Sequence, residues 1–183
     1  VASVVNNAPS VFPLGTTTVT WTVTDGSGNT ATATQVITVV DNTNPTITAP
    51  ADVTVNANSA CAAFNVALGT PVTSDNCSVA SVVNDAPTVF PLGSTTVTWT
   101  VTDGSGNTTT TTQTVTVVDN TNPVITAPAA LTVSANASCT ATGVVLGNAI
   151  ATDNCAVASV VNDAPVAFPL GNTTVTWTVT DAA

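Results

Sequence analysis

Residues 95–102 read Thr-Thr-Val-Thr-Trp-Thr-Val-Thr, and this stretch decides the fold class. Apolar and hydroxyl side chains alternate with a period of two, so Trp99 and the valines point to one face of a strand and the threonines to the other. Residues 103–107 then read Asp-Gly-Ser-Gly-Asn, a turn sequence, and the alternation resumes over 108–118. The sequence therefore predicts a half-buried β-hairpin.

The hairpin sequence recurs along the chain at a constant interval. Trp21, Trp99 and Trp177 are equally spaced, and both cysteine positions recur with the same step. Such a period is typical of a repeat architecture, and we expect the chain to be a window of a longer array. The predicted domains are the C-terminal part of a repeat at 1–43, a complete repeat at 44–121 and the N-terminal part of a repeat at 122–183.

The rest of the complete repeat also favours short strands. We expect further strands near Ile47 and at 53–55, 61–68, 79–83 and 89–90. Apart from Ala, the strong helix formers are rare in the sequence or absent from it. Seven or so short strands in each repeat predict an all-β fold of tandem immunoglobulin-like antiparallel β-sandwiches, arranged end to end.

Large apolar side chains are few. Phe64, Phe90, Leu92 and Trp99 are those available to fill the core of the complete repeat, which its small size keeps thin. We interpret Trp99 as a core residue rather than as a carbohydrate-binding platform.

The composition excludes several classes of function. The chain has no Lys, Arg or His, and its ten acidic residues, all Asp, give a net charge of −10. Nucleic-acid binding needs basic residues and is not expected. Because Glu and Tyr are absent as well, most general bases and nucleophiles are missing, and we predict no enzyme. No apolar run of the sequence is long enough for a membrane span.

The four cysteines form two sets with the same internal spacing. This shared spacing predicts two disulfides within repeats, Cys61–Cys77 and Cys139–Cys155, the alternative being buried free thiol pairs. A metal site is disfavoured because each set has two thiols, no His and no close Cys spacing. One regular pair in a small repeat indicates a secreted protein of the extracellular space or cell surface.

Four segments of the complete repeat resemble the hyalin repeat (HYR) domain. They read NPTITAPADVTV (44–55), SDNC (74–77), FPLGSTTVTWTVTDGSGN (90–107) and VTVVDN (115–120). The resemblance implies an immunoglobulin-like fold and a role in extracellular adhesion, in the setting of large bacterial-type cell-surface proteins. It supplies no catalytic residue.

Aspartates are predicted to gather where the chain enters a repeat. In an immunoglobulin-like sandwich two loops of the repeat lie at that pole beside the linker. Carboxylates, Asn oxygens and carbonyls suit the irregular oxygen shell of Ca²⁺, and suit the tighter octahedron of Mg²⁺ less well. Ordinary turn chemistry of Asp is the open alternative. The predicted ligands are Asp41, Asn42, Asp75 and Asp103 at one junction, and Asp119, Asn120, Asp153 and Asp181 at the next.

The function predicted from these features is structural. We expect a segment of an extracellular filament or adhesin stalk, rod-like, with calcium stiffening its joints. Its partners would be neighbouring repeats and other copies of the same chain in a fibre. The alternative is a binding module that uses its threonine-rich sheet face for glycan, ice or a host surface.

Overall fold

The computed structural model describes residues 1–182, and their regular structure consists of β-strands. Within this range there is no helix, and accordingly none of the length and apolarity needed to cross a membrane. The predicted all-β fold class, built from antiparallel sheets, is confirmed.

The strands are short except for four, which have ten or eleven residues each. They are β1 (Ser3–Asn6), β2 (Gly15–Thr24), β3 (Thr30–Val39), β4 (Thr46–Thr48), β5 (Val53–Asn56), β6 (Ala62–Phe64), β7 (Val72–Ser74), β8 (Val79–Asn84), β9 (Val89–Pro91), β10 (Gly93–Asp103), β11 (Thr108–Val118), β12 (Val124–Thr126), β13 (Thr140–Thr142), β14 (Ile150–Thr152), β15 (Val157–Asn162), β16 (Ala167–Pro169) and β17 (Trp177–Asp181).

The chain divides into two compact units. The first contains residues 1–48, 71–84 and 99–111. In it β1, β2 and β3 form an antiparallel sheet, β4 pairs with β7, and β8 pairs with the second half of β10. Its buried apolar side chains include Val19, Pro45, Trp99 and Val101.

The second unit contains residues 49–70 and 85–98 and the chain from residue 112 onward. Antiparallel pairs join β6 to β9, β12 to β14, β13 to β16 and β15 to β17. Strand β5 pairs with β11 in parallel. The buried apolar side chains of this unit are Ala62, Ala63, Phe90, Val97, Val115 and Val117.

Strands β10 and β11 form the predicted hairpin and contribute residues to both units. They are the central strands of a four-stranded sheet with the order β5-β11-β10-β8. Val97, Val101 and Val115 are fully buried, as their inward positions predicted. Each such valine contributes about 1.5–3 kcal/mol by leaving water.

Gln113 is the polar member of the buried face of β11, and its side chain is 1% exposed. Its Nε2 donates to the main-chain carbonyl oxygens of Ala51 at 2.7 Å and of Leu68 at 2.9 Å. Both acceptors lie outside the strands. The side-chain amide of Gln113 therefore satisfies two carbonyl oxygens that strand pairing does not reach. Gln113 therefore fixes two loop segments of the second unit.

Two of the predicted core residues lie at the surface. Phe64 is 46% exposed and Leu92 is 41% exposed, whereas Phe90 and Trp99 are buried. The predicted strand at 61–68 is also too long, because only Ala62–Phe64 is extended. The chain turns at Asn65, which has φ of 53°, so Phe64 ends its strand instead of continuing into the core.

Candidate metal centres at two aspartate clusters

The first aspartate cluster comprises Asp41, Asp75 and Asp103, which come from three separate parts of the first unit. Asp41 follows β3, Asp75 follows β7 and Asp103 ends β10. One carboxylate oxygen from each residue lies within 4.8 Å of the others. Three of the four side chains predicted to gather at this junction thus lie together, and their role as metal ligands stays a prediction.

The second cluster comprises Asp119, Asp153 and Asp181 and lies within the second unit. Asp119 follows β11, Asp153 follows β14 and Asp181 ends β17. Their carboxylate oxygens meet the same limit of 4.8 Å. Each member occupies the position of its counterpart in the first cluster, one repeat later, so the repeated sequence builds the same arrangement twice.

Strand geometry aims Asp103 into the first cluster. It continues the inward positions of Val97, Trp99 and Val101, and its side chain is only 2% exposed. The pairing of β10 with β8 shifts register between Thr102 and Asp103. The extra residue of this bulge lies on β8, so the alternation along β10 that points Asp103 inward is unbroken. The β15–β17 pair shifts register in the same way, with the extra residue on β15.

Two carboxylates of the first cluster divide their oxygens between two roles. Asp41 Oδ1 accepts from the main-chain N–H of Thr43 at 3.0 Å, and Asp75 Oδ2 accepts from those of Cys77 and Ser78 at 2.8 and 3.0 Å. The other oxygens, Asp41 Oδ2 and Asp75 Oδ1, are buried and accept no hydrogen bond. One oxygen of each residue thus holds a turn, and the other is left for a ligand.

The second cluster repeats this division. Asp119 Oδ1 accepts from Thr121 N–H at 3.0 Å, and Asp153 Oδ2 accepts from Cys155 N–H at 2.8 Å. Asp119 Oδ2 and Asp153 Oδ1 are buried without a hydrogen-bond partner. The turn role and the metal role, alternatives in the sequence, are therefore compatible because they use different atoms.

The unpartnered oxygens fit a hard cation. A buried acceptor without a partner costs about 1–3 kcal/mol, and more when it is charged. Three adjacent carboxylates also repel one another, and the chain has no Lys, Arg or His to neutralise them. A donor set made only of carboxylate oxygens is suited to Ca²⁺ rather than to a metal that prefers nitrogen or sulfur.

Three asparagines that sequence reasoning did not assign to the clusters support them. The side-chain amides of Asn76 and Asn154 donate to Asp41 Oδ1 and Asp119 Oδ1 at 3.3 and 3.0 Å. Asn107 Nδ2 donates to Asp103 Oδ2 at 2.7 Å. The spacing Asp-x-x-x-Asn, which also occurs at Asp25 and Asn29, could have identified Asn107 beforehand.

The two asparagines that were predicted as metal ligands, Asn42 and Asn120, have different surroundings from each other. Asn42 is exposed in the linker, and Asn120 Nδ2 donates to Asn56 Oδ1 at 2.9 Å. Their role as metal ligands stays a prediction.

Hydrogen bonds set the ionisation of the first cluster. The N–H of Thr43 holds the pKa of Asp41 below its ordinary value. Burial raises the pKa of Asp103, but the hydrogen bonds from Asn107 and Ser105 outweigh it and leave that pKa lowered. A hydrogen bond to Asp41, together with burial and the nearby carboxylates, raises the pKa of the Cys77 thiol. Asp41 and Asp103 are therefore carboxylates at neutral pH.

The predicted disulfides are wrong, because Cys61 pairs with Cys155. Cys77 and Cys139 are free thiols, and both are exposed. The Cys61 segment lies near the residues that leave the complete repeat, since Ala57 N–H donates to Val118 O at 2.7 Å. The Cys77 segment instead lies beside Asp41, where the chain enters that repeat. The disulfide thus links two successive sequence repeats.

The chain is similar to known proteins over most of its length. Residues 40–117 match the HYR domain. The chain is 37% identical over 185 residues to hyalin of Strongylocentrotus purpuratus, covering 94% of this chain and 15% of that protein. It is 36% identical over 183 residues to hyalin of Lytechinus variegatus, covering 93% and 34%. The chain spans about a third or less of these relatives. With the repeated motifs and the all-β fold, these matches show that the chain belongs to the HYR domain family.

Proposed function

We propose that this chain is a structural segment of an extracellular filament or adhesin stalk, and that calcium at its two aspartate clusters stiffens the junctions between sequence repeats. One observation carries the proposal. In each cluster a linker residue, Asp41 or Asp119, meets two carboxylates of the repeat that follows, and buried oxygens of the cluster have no hydrogen-bond partner.

Calcium supplies what these clusters lack. Ca²⁺ takes about six to eight oxygen ligands at about 2.3–2.6 Å and tolerates irregular geometry. Three carboxylates bring enough negative charge to bind it, and main-chain carbonyls and water complete such shells. Binding would join the linker to the loops through one ion, so the linker would lose its freedom to bend.

The first linker is already restrained by the protein. Pro45 is fully buried and has a fixed φ. Asn107 Nδ2 donates to the main-chain oxygens of Asp41 and Thr43 at 3.2 and 3.3 Å. These contacts hold the linker against the β10–β11 turn, so a bound ion would complete a junction that the fold has prepared.

Two further features support an extracellular structural role. The disulfide between Cys61 and Cys155 is of the kind that persists in oxidising compartments. The repeated sequence supplies the same cluster at successive positions, which serves length and stiffness better than recognition of one ligand. Neighbouring repeats and further copies of the chain are the proposed partners.

Small-angle scattering of the purified chain tests the proposal. With calcium we expect a rod-like particle of fixed length, and with a chelator a distribution of shorter, bent conformations. The double variant Asp75→Asn/Asp153→Asn should resemble the chelated sample even in calcium, because each cluster loses a ligand charge.

A matched control separates ligation from charge. Asp52 and Asp85 lie outside both clusters, so Asp52→Asn/Asp85→Asn removes the same charge and should leave the rod intact in calcium. A parent chain whose dimensions ignore both calcium and chelator would contradict calcium-stiffened joints.

A further inference from the structure

The two free cysteines occupy the same positions in the repeat as the two bonded ones. Cys61 and Cys139 share one position of the repeat, and Cys77 and Cys155 share the other. The disulfide between Cys61 and Cys155 therefore uses one member of each class. Cys77 and Cys139 are the members left over, and both thiols are exposed.

The backbone at Cys139 duplicates the backbone at Cys61. Both residues adopt φ of 54°, a left-handed conformation uncommon for a residue with a side chain. Cys61 N–H donates to Asn58 O at 3.0 Å, and Cys139 N–H donates to Asn136 O at 3.1 Å. The turn that presents the sulfur is therefore the same with or without a disulfide.

The surroundings of Cys77 duplicate those of Cys155. Their N–H groups donate to Asp75 Oδ2 and Asp153 Oδ2, both at 2.8 Å. The preceding asparagines place their Nδ2 atoms 3.3 and 3.6 Å from the two sulfur atoms. Both halves of the observed disulfide thus exist a second time, in the same local geometry and open to solvent.

We propose that Cys77 and Cys139 are sites of covalent linkage to further copies of the repeat, each forming the bond that Cys61 and Cys155 form within this chain. Between copies of this chain, Cys139 of one bonds to Cys77 of the next. An array then carries one disulfide from each repeat to the following one. This inference rests on the cysteines alone and holds whether or not the aspartate clusters bind calcium.

The bond requires an oxidant, which we name as a small-molecule disulfide such as glutathione disulfide. The thiolate of one cysteine attacks a sulfur of the oxidant, and one glutathione thiolate leaves. The thiolate of the second cysteine then attacks the mixed disulfide and releases the second glutathione. Two cysteine thiols lose two protons and two electrons, and one glutathione disulfide becomes two glutathione thiols.

Two single variants test the proposal by complementation. Cys77→Ser keeps Cys139 as its free thiol, and Cys139→Ser keeps Cys77. Each variant is incubated alone and mixed with the other in a glutathione redox buffer containing calcium. Non-reducing electrophoresis then measures covalent dimers, and peptide mapping identifies the linked cysteines.

We expect the mixture to form a dimer linked through Cys77 and Cys139. The yield of this dimer should exceed the yield of dimer from either variant alone by at least about tenfold, because docked thiols react at a raised effective concentration. The homodimers measure random collision of exposed thiols. Equal yields of all dimers, or no dimer in the mixture, would overturn the proposal.

Folding of the variants is checked separately. Because both substituted cysteines are exposed and free, each variant should keep the Cys61–Cys155 bond in its peptide map and the thermal midpoint of the parent. A parent map that shows Cys61 bonded to Cys77 would also overturn the proposal, since the observed pairing would then not be the repeating one.

Discussion

The side-chain amide of Asn107 donates to the main-chain oxygen of Asp41, 66 residues earlier, at 3.2 Å. This bond ties the turn between β10 and β11 to the linker that enters the complete repeat. The same nitrogen also contacts Thr43 O and Asp103 Oδ2 at 3.3 and 2.7 Å. One amide group therefore positions both a cluster carboxylate and the chain segment that carries another.

Substitution of Asn107 should loosen the linker. Asn107→Ala removes donors from three acceptors, and we expect the free energy of unfolding to fall by about 1–3 kcal/mol. Hydrogen exchange of the backbone amides of Thr43, Asn44 and Thr46 should accelerate. Asn29→Ala is the matched control, because Asn29 has the same position in its turn but its side chain donates to exposed Asp25. Equal effects of the two substitutions would contradict the linker role of Asn107.

Substitution of Gln113 should destabilise the second unit. Gln113→Ala removes a fully buried amide and its hydrogen bonds to the carbonyls of Ala51 and Leu68. Each such bond contributes about 0.5–1.5 kcal/mol, and the lost packing of the side chain adds to this. Denaturant unfolding should show a loss of about 2–4 kcal/mol. Gln35→Ala, at the equivalent but exposed position, should change stability by no more than about 0.5 kcal/mol. If Gln113→Ala leaves the free energy of unfolding unchanged, the buried amide of Gln113 does not stabilise the fold.

Removal of the disulfide should lower thermal stability. Cys61 and Cys155 are 94 residues apart, and closing a loop of about 100 residues stabilises a fold by about 4–5 kcal/mol in the chain-entropy treatment. Cys61→Ser/Cys155→Ser should lower the thermal midpoint, and a reductant should lower that of the parent equally. Cys77→Ser/Cys139→Ser serves as the control and should keep the midpoint. A reductant that leaves the parent midpoint unchanged would argue against the bond.

The carboxyl group of Asp25 should titrate below the ordinary range. The side-chain amide of Asn29, followed by the N–H groups of Asn29 and Ser27, lowers its pKa. A group with a lowered folded pKa stabilises the fold above its unfolded pKa of about 3.9, and that contribution is lost as the pH falls through the folded value. Carboxyl NMR titration should show that Asn29→Ala raises the pKa of Asp25. An unchanged pKa would exclude Asn29 as the main cause.

Alternation in the sequence predicted the strands well because it reports directly on burial. Val97, Val101, Val115 and Val117 lie inward as their period of two required. Phe64 was misplaced because hydrophobicity alone does not reveal that the chain turns at Asn65.

The aspartate clusters were predictable because the resemblance to an immunoglobulin-like repeat brings distant loops to one pole. What the sequence did not reveal was the division of each carboxylate between a turn and a free oxygen. That division depends on atomic geometry rather than on residue type.

The disulfide could not be predicted because the repeat makes the spacings ambiguous. Any pairing that advances by a whole repeat satisfies the same period, so Cys61 could pair with Cys77 or with Cys155. Only the position of each cysteine relative to the incoming and outgoing linkers separates the two choices.

Calorimetric titration with calcium measures whether the two aspartate clusters bind the metal. The parent chain should bind two ions, with a dissociation constant of about 0.1–1 mM, the range of extracellular calcium modules. Asp75→Asn and Asp153→Asn should each remove one ion and leave the other site intact, while Asp52→Asn should retain both. If the parent chain binds no calcium at millimolar concentration, or the variants bind as the parent does, the aspartate clusters are not calcium sites.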